Sequence, residues 1–419
     1  MRKNIILFCL ALFAFTNLLY QGSSAKVLLG VDVLIQKHFS DIAGKKVALL
    51  TNHAGRTNNS ELTAEVFAGA DKFELISIFT PEHGFYTTTP AGEAVGNITL
   101  FGKPVYSLYG SNRRPLKWQL ATCDVVVIDV QDIGVRSYTY ISTVYKMMDA
   151  CAEYGKQVII LDRPNPIGGL IVDGGTVEKG KESFIGIVPI SYVHGCTIGE
   201  LAMMINGEGW LTNGNDGKPR VCNLRVIKMI DWQRWMAWSD TGLMWFPTSP
   251  HIPTVDALRG AAMLGVFGEL GTVSIGIGTT LPFQYVGNQN FDNERIGKSI
   301  PDLKYPGIDL YPIEYKPFYG KGSGSNLTGF LIKFPLDNSF RPYTTGFKLM
   351  LAIKKVHPEI FNRKWISNNA EQMFIKATGN GKLLDALVTG KSDFYVLSLA
   401  NDGLEEFLEI RAKYLLYAL

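Results

Sequence analysis

Apolar and polar positions along this chain fall into two textures. Up to about residue 282, short apolar runs alternate with stretches whose apolar positions recur at helical spacing. The runs at 47–50, 75–79, 105–108, 125–130 and 158–161 read as strands, and residues 60–68 and 140–154 read as helices between them. Such alternation builds βαβ units. It predicts an α/β domain over 26–282 with a mostly parallel sheet and helices on both faces. The run Val125-Val-Val-Ile-Asp-Val130 is rich in β-branched side chains, as a central strand requires. After about Phe283, Asn, Gly, Pro and Tyr become frequent. A strand-like run at 330–334 and helical patterns at 345–355, 382–387 and 403–414 predict a smaller C-terminal α+β domain over 283–419.

The first 25 residues differ from both textures. Arg2 and Lys3 precede an apolar run from Ile5 to Phe15, and Ser23 and Ala25 supply a small-x-small cleavage pattern. This reads as a secretory signal peptide cut after Ala25. The run is shorter than the ~20 residues of a membrane span. The expectation is therefore an exported protein, periplasmic or extracellular, with no stable membrane insertion after cleavage. Four cysteines follow the leader, Cys123, Cys151, Cys196 and Cys222, without metal-binding spacing. They are either paired or buried as free thiols. Overall, 41 basic and 38 acidic residues give a net charge of +3 with no dense basic block, which argues against a nucleic-acid partner.

Ligands bind beyond the carboxyl ends of strands in open parallel sheets, and four predicted strands deliver polar side chains there. The run at 47–50 ends in Asn52-His53, and that at 75–79 in Pro81-Glu82-His83. The run beginning at Val125 ends in Asp129 and Asp132, followed by Arg136, Tyr138 and Tyr140. The fourth ends in Asp162-Arg163-Pro-Asn165. Acid/base cleavage of an acetal needs one protonated carboxyl and a second carboxylate or activated water. Glu82 is expected to be the acid, because Phe79 and Phe85 beside it would strip water from the carboxyl. Asp129 or Asp132 would be its partner, with His83 and Asn165 positioning. Arg136 and Arg163 could clamp an anion or neutralise neighbouring aspartates. Tyr138 and Tyr140 could stack on a sugar or fill the core.

Other signals are weaker. Gly276-Ile-Gly278 lacks the third glycine of a dinucleotide fingerprint, and Gly320-Lys-Gly-Ser-Gly-Ser325 reads as a turn. No cofactor is expected. His53, His83, His194 and His251 have no metal-ligand spacing. Trp232, Trp235 and Trp238 recur at helical spacing and read as core.

Several long segments carry a family resemblance. They include Thr80-Pro-Glu-His-Gly84, Ala91-Gly-Glu93, Pro104-Val-Tyr-Ser-Leu-Tyr-Gly110, Asp129-Val-Gln-Asp-Ile-Gly134, Arg136-Ser-Tyr-Thr-Tyr-Ile-Ser142, Leu161-Asp-Arg-Pro-Asn-Pro-Ile-Gly-Gly169, His194-Gly-Cys-Thr-Ile-Gly-Glu-Leu201 and Asp240-Thr-Gly242. In these the chain resembles the exo-β-N-acetylmuramidases of the NamZ type, over nearly its whole mature length. The resemblance implies a Rossmann-like N-terminal domain, a C-terminal auxiliary domain and a cleft between them. It implies release of N-acetylmuramic acid from non-reducing ends of peptidoglycan fragments, with Glu82 as the catalytic carboxyl. The lactyl carboxylate of that sugar gives the arginines a purpose, and Asn52, Asp162 and His194 join the expected binding set. Many members carry Ser-Glu-Gly-Arg-Gly-Thr where this chain has Ser274-Ile-Gly-Ile-Gly-Thr279, and Leu281 and Gln284 stand where Arg and Glu are common.

The leading expectation is an exported glycosidase for peptidoglycan-derived saccharides. The loss of charge at Ile275 and Ile277 keeps a non-catalytic muropeptide-binding protein as the alternative. A metal-dependent hydrolase is a third reading. Oligomeric state is not encoded in any of these signals.

Overall fold

The computed structural model describes residues 26–300, 304–305, 308–335 and 338–418. The leader pattern lies outside them. Seven strands form the larger sheet: β1 (Lys46–Thr51), β2 (Glu74–Thr80), β3 (Ile98–Leu100), β4 (Lys103–Ser107), β5 (Val125–Asp129), β6 (Gln157–Leu161) and β7 (Asn223–Ile227). Their order is β3-β4-β2-β1-β5-β6-β7, and every neighbouring pair is parallel except the edge pair β3–β4. The chain lays strands outward from β1 to one side, then returns and builds from β5 to the other. That is the doubly wound, Rossmann-like arrangement, with its switch point between β1 and β5.

Burial follows the sequence pattern. All five residues of β5 are buried, and the strand sits in the middle of the sheet. Covering each Val or Ile there contributes about 1.5–3 kcal/mol. Alternate side chains enter two cores: Val126 and Ile128 join helices Tyr140–Glu153 and Ile198–Gly207, while Val125 and Val127 face helices Gly30–Gln36 and Thr63–Ala68. β3 and β7 escaped the sequence reading. β3 is short and exposed, and β7 alternates exposed with half-buried positions, so neither makes an apolar run.

The second sheet is antiparallel, ordered β8 (Tyr285–Asn288), β11 (Leu327–Lys333), β10 (Ile308–Tyr315) and β9 (Lys304–Tyr305). It packs with helices Val255–Gly268 and Pro342–Val356 into a third core. Helix Val255–Gly268 buries Leu258, Met263 and Phe267 there, beside Phe347 and Phe374. This core takes in helix Val255–Gly268, which precedes the change of texture at 283, and also Ile133, Val135 and Tyr192 from earlier in the chain.

Near the end of the chain, helix Leu404–Ala412 returns to the first domain, where Phe407 enters its core. The three tryptophans do not share a helix: Trp238 opens the 3-10 helix Trp238–Thr241, and Trp232 and Trp235 lie in the loop before it; Trp232 and Trp238 are buried and Trp235 is exposed. Among the described residues, no helix is long and apolar enough to cross a membrane.

Candidate active site

Strand register brings the carboxyl ends level. Leu50 pairs with Phe79 and Ile128, and Ile128 with Ile160. The chain leaves β2 at Thr80 and turns sharply, with His83 and Gly84 at φ of 70° and 74°. A left-handed backbone at a histidine costs on the order of 1–3 kcal/mol and needs support from its surroundings. Support comes from the ring: Nδ1 lies 2.8 Å from the Thr89 carbonyl. A carbonyl only accepts, so Nδ1 carries the proton and Nε2 is left as an acceptor. Burial pushes the His83 pKa down, against the opposing pull of the Thr89 bond and of Glu82.

Glu82 is buried and lines a cavity of about 530 Å³. Its Oε1 accepts from the Gly92 N–H at 2.9 Å and its Oε2 from the Thr139 hydroxyl at 2.6 Å. The Tyr109 phenol also faces it; burial, reinforced by the Glu82 charge, pushes Tyr109 up to about 12. The expected aromatic surroundings are absent, because Phe79 and Phe85 point into the cores on the two faces of the sheet. The groups against Glu82 are therefore the Gly92 N–H, the Thr139 hydroxyl and the Tyr109 phenol in place of Phe79 and Phe85.

The cavity runs between the two domains. Glu82, His83, Tyr109, Tyr138 and Thr139 line it from the first, and Glu269, Ile275, Ile277, Phe283 and Lys321 from the second. Tyr138 stacks near His83, with centroids 6.3 Å apart, and donates to the Thr248 carbonyl at 2.9 Å. Tyr140 donates to the same carbonyl at 2.7 Å and accepts from Asn52 Nδ2 at 2.6 Å. Asn52 and Tyr140 therefore brace the Tyr138 wall from behind and do not line the cavity.

The other expected site residues are spent inside the fold. Both oxygens of Asp129, which is fully buried, are held by Arg163, from Nε at 2.6 Å and Nη2 at 2.8 Å. Arg163 Nη2 also donates to the Arg56 carbonyl at 2.6 Å. This corrects Asp129 as a partner carboxyl and Arg163 as an anion clamp. Arg136 donates from Nη1 to the carbonyls of Gly175 and Ile190 at 2.6 and 2.7 Å. Its Nη2 reaches Ala377 and Thr378 at 3.2 and 2.6 Å. It ties the domains together and is not among the residues that line the cavity; burial lowers its pKa to about 10.

Asp162 accepts from Gly199 N at 2.8 Å, the Thr197 hydroxyl at 2.7 Å and the Tyr417 hydroxyl at 2.6 Å. It anchors helix Ile198–Gly207 and the C-terminal tail. Asn165 bridges the Ile167 N–H and the Cys196 carbonyl, each at 3.0 Å. His194 accepts from Cys196 N at 3.2 Å through Nδ1, so Nε2 carries the proton and faces Asp132 Oδ2 at 3.3 Å. Asp132 also accepts from Gly134 N at 2.7 Å, and neither Asp132 nor His194 lines the cavity. All four cysteines are buried free thiols.

Comparison with known proteins decides the assignment. The models of the N-terminal and C-terminal regions of exo-β-N-acetylmuramidase NamZ match residues 47–256 and 262–417. The chain belongs to the NamZ family. Peptidoglycan β-N-acetylmuramidase NamZ of Bacillus subtilis (strain 168) is 31% identical over 429 residues, spanning 100% of both chains. Among solved structures, a DUF1343 family protein of Bacteroides fragilis NCTC 9343 superposes with a TM-score of 0.86 at 35% identity, covering 94% of this chain and 99% of that one. A second from the same organism gives 0.69 at 27%, with the same coverage. The two matched regions meet between residues 256 and 262, within helix Val255–Gly268.

Residues that the strand-end reading missed are Tyr109, Thr139, His251, Glu269 and Lys321, all in the cavity lining. Thr139 lay inside a segment already singled out. Glu269 and Lys321 come from the second domain, and no local spacing connects them to Glu82. Among the described residues, Lys321 is the lining's sole lysine or arginine.

Proposed function

We propose that this protein is an exo-acting β-N-acetylmuramidase that cleaves muramic-acid-terminated peptidoglycan fragments, with Glu82 as the reacting carboxylate. One observation carries the reading: a carboxyl held by two firm donors, on a strained turn at a strand end, lines a cleft of about 530 Å³. A rigid carboxyl in a partly apolar cleft suits stabilisation of a developing oxocarbenium ion. His83 Nε2 is available as an acceptor for a sugar hydroxyl or amide. Tyr138 offers a ring face. Lys321 takes the role of lactyl-carboxylate partner that Arg136 and Arg163 were expected to fill.

Incubating the protein with N-acetylmuramyl-N-acetylglucosamine and following products by mass spectrometry tests this. Release of free N-acetylmuramic acid is expected. Binding of the disaccharide without release sinks the enzyme reading and leaves a muropeptide-binding protein. Loss of activity with a chelator, restored by a divalent ion, contradicts a mechanism built on protein carboxyls alone. Export is part of the proposal, supported by the leader pattern. N-terminal sequencing of protein expressed with its leader should give Lys26 as the first residue; an uncut Met1 terminus contradicts it.

A further inference from the structure

The second-domain wall of the cleft holds a carboxyl that nothing else in the fold employs. Glu269 follows helix Val255–Gly268 as its C-cap and lines the same cavity as Glu82. It is half-buried, and among the described residues it makes no hydrogen bond or ion pair. The cavity lining includes the apolar side chains Ile252, Val273, Ile275, Ile277 and Phe283, and the Tyr192 phenol lies close enough to Glu269 for their charges to interact. Ile275 lies directly against the preceding residue, since a Cβ on Gly268 would stand 2.4 Å from Ile275 Cδ1.

Two physical effects act on this group together. The carbonyl end of a helix carries partial negative charge, which disfavours an anion placed there. Withdrawal from water disfavours it as well. Burial accordingly pushes the Glu269 carboxyl above its ordinary value. Glu82 is in the opposite situation, with an N–H and a hydroxyl donating to its two oxygens. The cleft thus holds two carboxyls in different settings, Glu82 among hydrogen-bond donors and Glu269 withdrawn from water at a helix carbonyl end, an arrangement suited to separate roles.

Resting on the glycosidase reading above, we propose that Glu269 is the proton donor to the leaving sugar, with Glu82 its carboxylate counterpart. In the step, the C1–O bond breaks and its electron pair stays on the glycosidic oxygen, which takes the Glu269 proton. One water is consumed overall: its hydroxyl ends on C1, and its remaining proton restores Glu269. Ile275 and Ile277 then have a function. With no arginine at 277, no cation is supplied from that position to ionise the acid.

The test compares wild type, Glu269→Gln, Glu269→Asp and Glu82→Gln on two substrates. One is a 4-nitrophenyl muramoside, whose leaving group needs little protonation. The other is the natural disaccharide, which needs it fully. Glu269→Gln should lose ~10²–10⁴-fold in kcat on the disaccharide, the range for a general acid, while losing under about tenfold on the aryl glycoside. Its pH profile on the aryl glycoside should also lack the basic limb. Glu269→Asp, which keeps an acid, should recover part of the disaccharide rate. Glu82→Gln should fall equally on both substrates. Equal loss on both in Glu269→Gln, or loss on neither, overturns the proposal while leaving the glycosidase reading intact. A wild type that releases sugar from neither substrate overturns both.

Discussion

Asp129 is the position where structural and chemical roles separate most cleanly. It is fully buried, and both oxygens receive bonds from Arg163 at 2.6 and 2.8 Å. In Asp129→Asn the new amide group would present hydrogens to a guanidinium that also only donates. Arg163 would keep its bond to the Arg56 carbonyl, so the charge would stay buried without its counterion. Removing one partner of a buried pair costs about 3–5 kcal/mol, against a total stability of ~5–15 kcal/mol for a typical fold. The denaturant midpoint should drop sharply at unchanged slope, with kcat per folded molecule within about threefold of wild type. Asp129→Leu combined with Arg163→Met should regain most of the loss, since an apolar pair of similar volume often replaces a buried ion pair without penalty. If Asp129→Asn abolishes turnover while stability changes by less than about 1 kcal/mol, the structural assignment is wrong and Asp129 belongs to the chemistry.

Further expectations follow from the same geometry. Arg136→Met strips donors from four carbonyls at once; a loss of at least about 3 kcal/mol is expected. Faster amide exchange in helix Asn368–Thr378 should accompany it, and unchanged exchange there would show that Arg136 does not hold the domains together. The cysteines are free and buried, with burial pushing Cys123 to about 11 and both Cys196 and Cys222 to about 12. Native protein should therefore resist thiol reagents at these positions, and Cys123, Cys151, Cys196 and Cys222 should all react in denaturant; rapid native labelling or missing thiols would contradict this.

Asp162 has a folded pKa of about 7, raised chiefly by burial above its ordinary 3.8. Between these values the unfolded chain is ionised and the folded one still protonated, so this residue's contribution falls as pH rises through that window. Stability of Asp162→Asn relative to wild type should climb from pH 4 to 7 and then level off. A flat difference across that range would refute the assignment.

The doubly wound sheet was readable because buried parallel strands make apolar runs, and Val125–Asp129 is the clearest of them. Glu82 and His83 were readable for a related reason, since a strand end fixes where the next few side chains emerge. The fate of the arginines was not. Arg136 is satisfied by main-chain carbonyls, which leave no mark on side-chain spacing, and Arg163 by the carboxylate of Asp129 on a neighbouring strand. Asp162 and Asn165 stand at a strand end as expected, yet they hold the adjoining loops and helix. Glu269 was hidden for the opposite reason: it reaches the cleft through packing of one core against another. A carboxyl after a helix end carries no signal of what it will face.

The central claim is that Glu82 is the reacting carboxylate, and Glu82→Gln on the 4-nitrophenyl muramoside tests it most directly. Gln keeps an oxygen for the Gly92 N–H, and the Thr139 hydroxyl can turn to accept. The variant should melt within about 2 °C of wild type while kcat/KM falls by at least ~10³-fold. A folded Glu82→Gln protein that turns over this substrate within about tenfold of wild type would contradict the account.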